Sequence, residues 1–271
     1  MGSFAKVLSQ FTNVASARLS APGASSTSSR GILQTSRANK TGLSLRLDAT
    51  LKDGHDMKTF GLGTAASLAS RGRYARFTSS MFKVYSVMEK ELDDSCSPSV
   101  RLVWDEFGDN LRRAEALKKD LRDVADNSGN IGVSTATNDY VNAIISAASK
   151  DQDDNGARLI GHLYCRYFAD LMGGQILATP TRYALNLSYD APRHYYFGDF
   201  AGENRGRNVE RLYARFNEAG EIIDDDGIEE VIQETYAAFD HNINVYKEEG
   251  RLWEDSAIGV RNIILGYLKS S

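Results

Sequence analysis

Hydrophobic positions in this chain recur at intervals of three and four rather than two, and that spacing predicts helices along most of its length. Tyr74, Phe77, Met81, Tyr85, Met88 and Leu92 form one stripe of about five turns. Leu111, Ala114, Leu117, Leu121 and Val124 repeat the pattern and predict one helix across that range. Tyr140, Val141, Ile144, Ile145 and Ala148 follow a Ser/Thr cluster, Ser134 to Thr137, suited to capping a helix start. A further helix is expected from about Asp154 to Met172. Another carries Ile228, Val231, Ile232, Tyr236, Phe239, Ile243 and Tyr246 behind the acidic start Asp224-Asp225-Asp226. Residues 178–206, with Pro180, Pro192 and several glycines, read mostly as loop. Ser256 to Lys269 is apolar but broken by Arg261 and Asn262, so it reads as a docked terminal helix rather than an anchor. There is no internal repeat and no alternating strand pattern. The expected fold is all-α.

Composition narrows the class. With 271 residues, 42% hydrophobic and 25% charged, the chain has material for one sizeable core. Two cysteines, Cys96 and Cys165, cannot build a disulfide framework. The net charge of −4 argues against nucleic-acid binding. No run approaches the roughly 18 apolar residues that would span a bilayer.

The charge is unevenly placed. Residues 1–47 hold no Asp or Glu but six basic residues and ten serines, leaving 26 basic against 36 acidic residues in the remainder, a net of −10. An acid-free, Ser-rich, Arg-bearing start without a continuous apolar core has the composition of an organelle transit peptide. Richness in Ser and Ala favours a plastid over a mitochondrion. Residues 1–46 are therefore expected to be a disordered leader and 47–271 the helical domain.

The familiar enzyme motifs are absent. None of His55, His162, His194 and His241 follows a Glu by three residues, so the paired Glu-x-x-His ligands of a di-iron bundle are missing. HExxH, CxxC, Gly-x-Ser-x-Gly and phosphate-loop spacings are also missing. The unusual stretch is Gly161-His162-Leu163-Tyr164-Cys165-Arg166-Tyr167-Phe168-Ala169-Asp170-Leu171-Met172-Gly173-Gly174-Gln175. On a helix, Arg166 and Asp170 stand at i, i+4 on a face shared with Tyr167 and Gly173. A charged pair among aromatics needs partners or a wet pocket. Two adjacent glycines cost roughly 1 kcal/mol each inside a helix. They either end the helix or bare its backbone to a flat ligand.

The run from Tyr164 to Gln175 resembles the heme oxygenase motif, Tyr-x-Arg-Tyr-x-Gly-Asp-Leu-x-Gly-Gly-Gln. It departs from that pattern at Ala169, where the motif has glycine. The likeness extends from about residue 46 to 249. Ala49 to His55 looks like the family's first helix, ending in the proximal heme histidine. Tyr85 is similar to the tyrosine before an acidic helix segment, and Phe239 with Asn242 resembles a late Ala-Phe-x-x-Asn pattern. Tyr213 to Glu218 is closest to the plant and algal branch. The resemblance implies a single-domain bundle that holds heme b, as substrate and cofactor, between a proximal and a distal helix. His55 would be the axial iron ligand and Lys52 a propionate partner. Asp48 replaces an expected basic residue. Tyr164, Ala169, Gly173 and Gly174 would lie against the heme. Asp170, held by Arg166 and tyrosine hydroxyls, would order water on the distal side, with Tyr85, Tyr167 and Asn242 in the same network.

The implied reaction is ring opening to biliverdin with release of CO and ferrous iron, consuming O2. Its electrons come from an external donor, since no flavin or nicotinamide fold is legible. In a plastid that donor would be the acidic protein ferredoxin, and Arg112, Arg113, Lys118 and Lys119 are candidate docking cations. A heme-binding relative with little turnover, or a cofactor-free protein of the same fold, are the alternatives. Absorption spectra with added hemin separate the cofactor-free protein from the other two, and reductant-driven loss of the Soret band with biliverdin formation separates the oxygenase from the heme-binding relative.

Overall fold

The computed structural model describes residues 40–53, 57–125 and 132–270, and among them every regular element is helical. Eleven α-helices follow in order, α1 (Gly42–Asp53), α2 (Met57–Ser67), α3 (Arg71–Asp94), α4 (Pro98–Leu111), α5 (Ala114–Val124), α6 (Thr135–Asp154), α7 (Leu159–Leu163), α8 (Gln175–Leu185), α9 (Arg205–Ile222), α10 (Asp225–Glu248) and α11 (Leu252–Ser270). Two π-helical stretches, Tyr164–Phe168 and Asp170–Gly174, join α7 to α8. Short 3-10 turns link α8 to α9.

The core forms where the three-and-four stripes meet. Tyr74, Tyr85, Met88 and Leu92 on α3 are fully enclosed, as are Tyr140 and Ile144 on α6 and Leu163, Tyr164, Tyr167 and Leu171 on the central run. The predicted caps are in place. The Ser134 hydroxyl accepts from Thr137 N at the start of α6, and the Asp224 carboxylate accepts from Gly227 N at the start of α10.

Several boundaries differ from the spacing-based reading. The helix expected from Leu111 to Val124 is two helices. Leu111 ends α4, and the chain turns at Arg112-Arg113 because the buried Glu89 carboxylate captures the backbone N–H groups of Arg113 (2.6 Å) and Ala114 (2.9 Å). Asp154 ends α6 rather than starting a helix, since Asn155 adopts a left-handed conformation that breaks the run. Pro180 lies inside α8, so residues 175–185 are helix and not loop. The folded body also begins ahead of residue 47. Helix α1 starts at Gly42, and Leu43 and Leu47 are buried in the main core. Residues 42–46 therefore belong to the helical domain, while residues 1–39 of the expected leader lie outside the described residues.

Candidate functional site

The glycine pair does not end its helical run, which continues into α8. It sits where the backbone widens into π turns, which leave carbonyls without their usual donors. Side chains from elsewhere meet them. Arg205 donates to Leu171 O at 3.0 Å, and the Tyr85 hydroxyl approaches Arg166 O at 3.5 Å.

Arg166 and Asp170 face the same side of this run and are both buried. The guanidinium donates to Asp170 Oδ2 and Oδ1 at 3.2 and 3.3 Å, to the Tyr85 hydroxyl at 3.4 Å, and to Asn242 Oδ1 at 2.9 Å. Tyr85 in turn donates to Asp170 Oδ2 at 2.5 Å. Burial holds the Tyr85 hydroxyl well above its ordinary pKa, against the opposing pull of Arg166, so it remains a proton donor. Three elements thus converge on the Arg166–Asp170 pair: the central run that carries it, α3 through Tyr85 on Asp170, and α10 through Asn242 on Arg166. Arg166 Nε has no partner, and neither has Gln175 Nε2 one turn beyond Asp170.

Tyr167 stands beside this network rather than within it. Its ring meets Tyr85 edge-on at 5.1 Å, but its hydroxyl lies 3.5 Å from Glu89. Burial raises the pKa of Glu89, with the Ala114 and Arg113 amides opposing. Tyr164 also turns away from Asp170. Its hydroxyl donates to Asp48 and approaches Ser44 O at 3.4 Å, and Asp48 pairs with Lys40. The two glycines have different surroundings. A Cβ at Gly173 would meet nothing within 4 Å, and the residue is exposed, whereas one at Gly174 would stand 2.9 Å from the buried Tyr195 ring. Gly173 alone offers bare backbone to a ligand. Gly174 is bare so that Tyr195 can pack there. Ala169 is half-buried. Lys52 lies in α1, and His55 lies outside the described residues.

The described histidines are otherwise engaged. His162 is fully buried with Nε2 at 2.8 Å from Glu234, His194 Nδ1 lies 2.8 Å from Asp120, and His241 stacks on Tyr140 at 5.5 Å. Burial pushes the Cys165 thiol up to about 12, which makes it a packing residue rather than a nucleophile. No cluster of three or more metal-ligating side chains occurs among the described residues.

Arg113 is not a surface cation. It is buried, donates to Tyr196 O (2.6 Å), Leu111 O (2.8 Å) and Asn110 O (3.0 Å), and lies over the Phe197 ring. Arg112 pairs with Asp93 and Lys118 with Glu115 at 3.3 Å, while Lys119 is exposed.

Spacing also missed residues that border the site. Tyr246 on α10 stacks on Phe77 at 5.3 Å, meets Phe60 edge-on at 5.7 Å, and carries a hydroxyl that burial pushes up to about 12. In sequence it is one more member of an apolar stripe. Tyr195 sits in a stretch that reads as loop.

These features fit a flat, largely apolar group. Backbone is bare at Gly173, a buried carboxylate is fixed beside it, and two buried nitrogens are unpartnered nearby. A scan against models of protein families matches the one described as heme oxygenase over residues 43–248. Among curated proteins, the chain is 27% identical over 214 residues to a heme oxygenase of Rhodella violacea, covering 77% of this chain and 87% of that protein. It is 28% identical over 179 residues to one of Takifugu rubripes, covering 65% of this chain but only 61% of that relative's length. Among solved structures, heme oxygenase-1 of the cyanobacterium Synechocystis in complex with heme superposes with a TM-score of 0.66. That alignment is 24% identical and covers 83% of this chain and all of that one, a likeness of fold. Heme oxygenase from Leptospira interrogans gives 0.58 at 25% identity, covering 75% of this chain and 99% of that one.

Proposed function

The chain belongs to the heme oxygenase family, and we propose that it performs oxidative ring opening of heme to biliverdin, releasing CO and ferrous iron with O2 and electrons from an external donor. The observation that carries this reading is the Asp170 carboxylate, buried in a network of Arg166, Tyr85 and Asn242 beside the bare backbone of Gly173. Heme b, when bound, supplies the iron at which O2 reacts and is also the ring that is opened.

Each residue has a physical task in this scheme. His55 holds the iron, a role supported by the engagement of His162 and His194 elsewhere. Gly173 lets the distal backbone approach the ring plane without a Cβ. Asp170 orders water through Oδ1, while its Oδ2 is committed to the Tyr85 hydroxyl. Arg166 holds that carboxylate in place, and Asn242 holds Arg166 in turn. Tyr167 stiffens Tyr85 from the side. Lys52 is proposed at the acidic edge of the substrate. Tyr164 reaches that edge only by exchanging Asp48 for a substrate carboxylate.

We further propose that the acid-free leader directs the chain to a plastid, with relatives in red algae and cyanobacteria fitting that location. Ferredoxin would then supply the electrons, docking near Lys118 and Lys119. No helix among the described residues is long and apolar enough to cross a membrane.

Hemin titration tests the heme assignment. The full chain is expected to develop a histidine-ligated Soret band that His55→Ala abolishes and added imidazole partly restores. An unchanged spectrum in His55→Ala would move the iron to another residue.

A further inference from the structure

A cavity of about 260 Å3 is lined by Gly63 and Ser67 of α2, by Arg73 and Phe77 of α3, and by Tyr246 of α10, whose hydroxyl lies within electrostatic reach of Arg166 and Asp170. It is smaller than the roughly 300–1,000 Å3 that drug-sized ligands occupy. A larger planar ligand therefore requires one wall to move. Helix α2 is the wall least able to hold its own place. It has 11 residues against 24 in α3 and 24 in α10, and its sequence, MKTFGLGTAAS, contains two glycines.

Helix α11 packs behind α2 and reaches across to α8. Two close backbone approaches fix it there. A Cβ on Gly259 would stand 1.8 Å from Ala65 O in α2, and one on Gly266 would stand 2.3 Å from Tyr183 O in α8. Asn262 donates to Leu68 O and Ala69 O, both at 3.0 Å, capping carbonyls that the end of α2 leaves free. Asp255 pairs with Arg73, the arginine that lines the cavity, and Arg73 also donates to Gly250 O at 2.9 Å. All of α11 lies beyond residues 43–248, the stretch matched by the family model.

We propose that α11 is a strap that holds α2 closed over this cavity and ties it to α8, and that release of the strap admits and discharges the ligand. The identity of that ligand rests on the heme reading above. The strap itself does not, because it rests on the contacts of α11 with α2, α3 and α8.

The test uses the full chain with Gly259→Ala, which drives a methyl group into the Ala65 carbonyl, and Asn262→Ala, which only removes the cap. Amide hydrogen exchange without ligand is expected to speed up in residues 57–67 while residues 71–94 stay as in the parent. For Asn262→Ala the expected change is about tenfold, or about 1.4 kcal/mol. If Gly259→Ala does not fold, Asn262→Ala decides alone. Hemin release to apomyoglobin should accelerate by a similar factor. Unchanged exchange in 57–67 in every variant that folds would overturn the strap. Faster exchange with unchanged hemin release would overturn its gating role and leave the family reading intact. A parent protein that binds no hemin would overturn the heme reading, while the exchange data still decide the strap.

Discussion

Replacing Arg166 with Met tests whether the buried carboxylate depends on its counter-ion. Met fills much of the side-chain volume but offers no donor. Asp170 would keep only the 2.5 Å bond from Tyr85, and Asn242 Oδ1 would lose its 2.9 Å donor. Removing one partner of a buried ion pair costs about 3–5 kcal/mol. The Asp170 side chain keeps 12% of its exposure, so water recovers part of its hydration. The expected loss is about 3 kcal/mol, near the bottom of that range. Urea unfolding followed by far-ultraviolet circular dichroism measures it. The informative comparison is Arg166→Met combined with Asp170→Asn, which removes the stranded charge. The double variant should be more stable than Arg166→Met alone, with a coupling of about 1–3 kcal/mol. A single-variant loss below about 1 kcal/mol, or strictly additive losses, would refute the network as an energetic unit.

Asp170→Asn is expected to bind hemin with the parent's spectrum while biliverdin formation collapses, because an amide presents a donor where ordered water needs an acceptor; parent-like turnover at equal heme loading refutes that role. Ala169→Gly should raise the single-turnover rate by letting the distal helix settle nearer the ring, and stopped-flow absorbance will show whether it does. Acidification should destabilise the protein in two stages. Burial, with His162 nearby, lowers the pKa of His241 below 6.5, so the unfolded chain takes up a proton that the fold resists. Stability is therefore full above pH 6.5 and falls as pH drops through the lowered value. Burial opposes the ionised forms of Asp120 and Glu234, but His194 and His162 outweigh it and hold both below their ordinary values of 3.8 and 4.5. Their contributions are lost at lower pH still. Thermal melts from pH 8 to 3 should show both stages, and His241→Phe should remove only the first.

Spacing alone reveals the long amphipathic helices, because a stripe such as Tyr74 to Leu92 has one way to bury itself. The break at Arg112-Arg113 is not legible locally. Its cause, Glu89, lies 24 residues upstream of Arg113 and acts only once α3 and α5 are packed. Pro180 misleads for the opposite reason. A proline usually ends a helix, but here the carbonyl it fails to serve belongs to Ile176, a half-exposed residue where water can substitute. At the site, Arg166 and Asp170 are visible as an i, i+4 pair on one helix. Asn242 stands 76 residues from Arg166 and is found only by family resemblance. Tyr195 and Tyr246 are invisible to spacing, since aromatic residues in a loop and on an apolar stripe look like packing until Gly174 and Phe77 are seen against them.

The most direct test of the account is a single turnover of the hemin complex, reduced under O2 with biliverdin and CO measured together. The account predicts loss of the Soret band, appearance of biliverdin, and CO released in equal amount to the heme consumed. A complex that is reduced and binds O2 yet returns intact heme, with no CO, would contradict it.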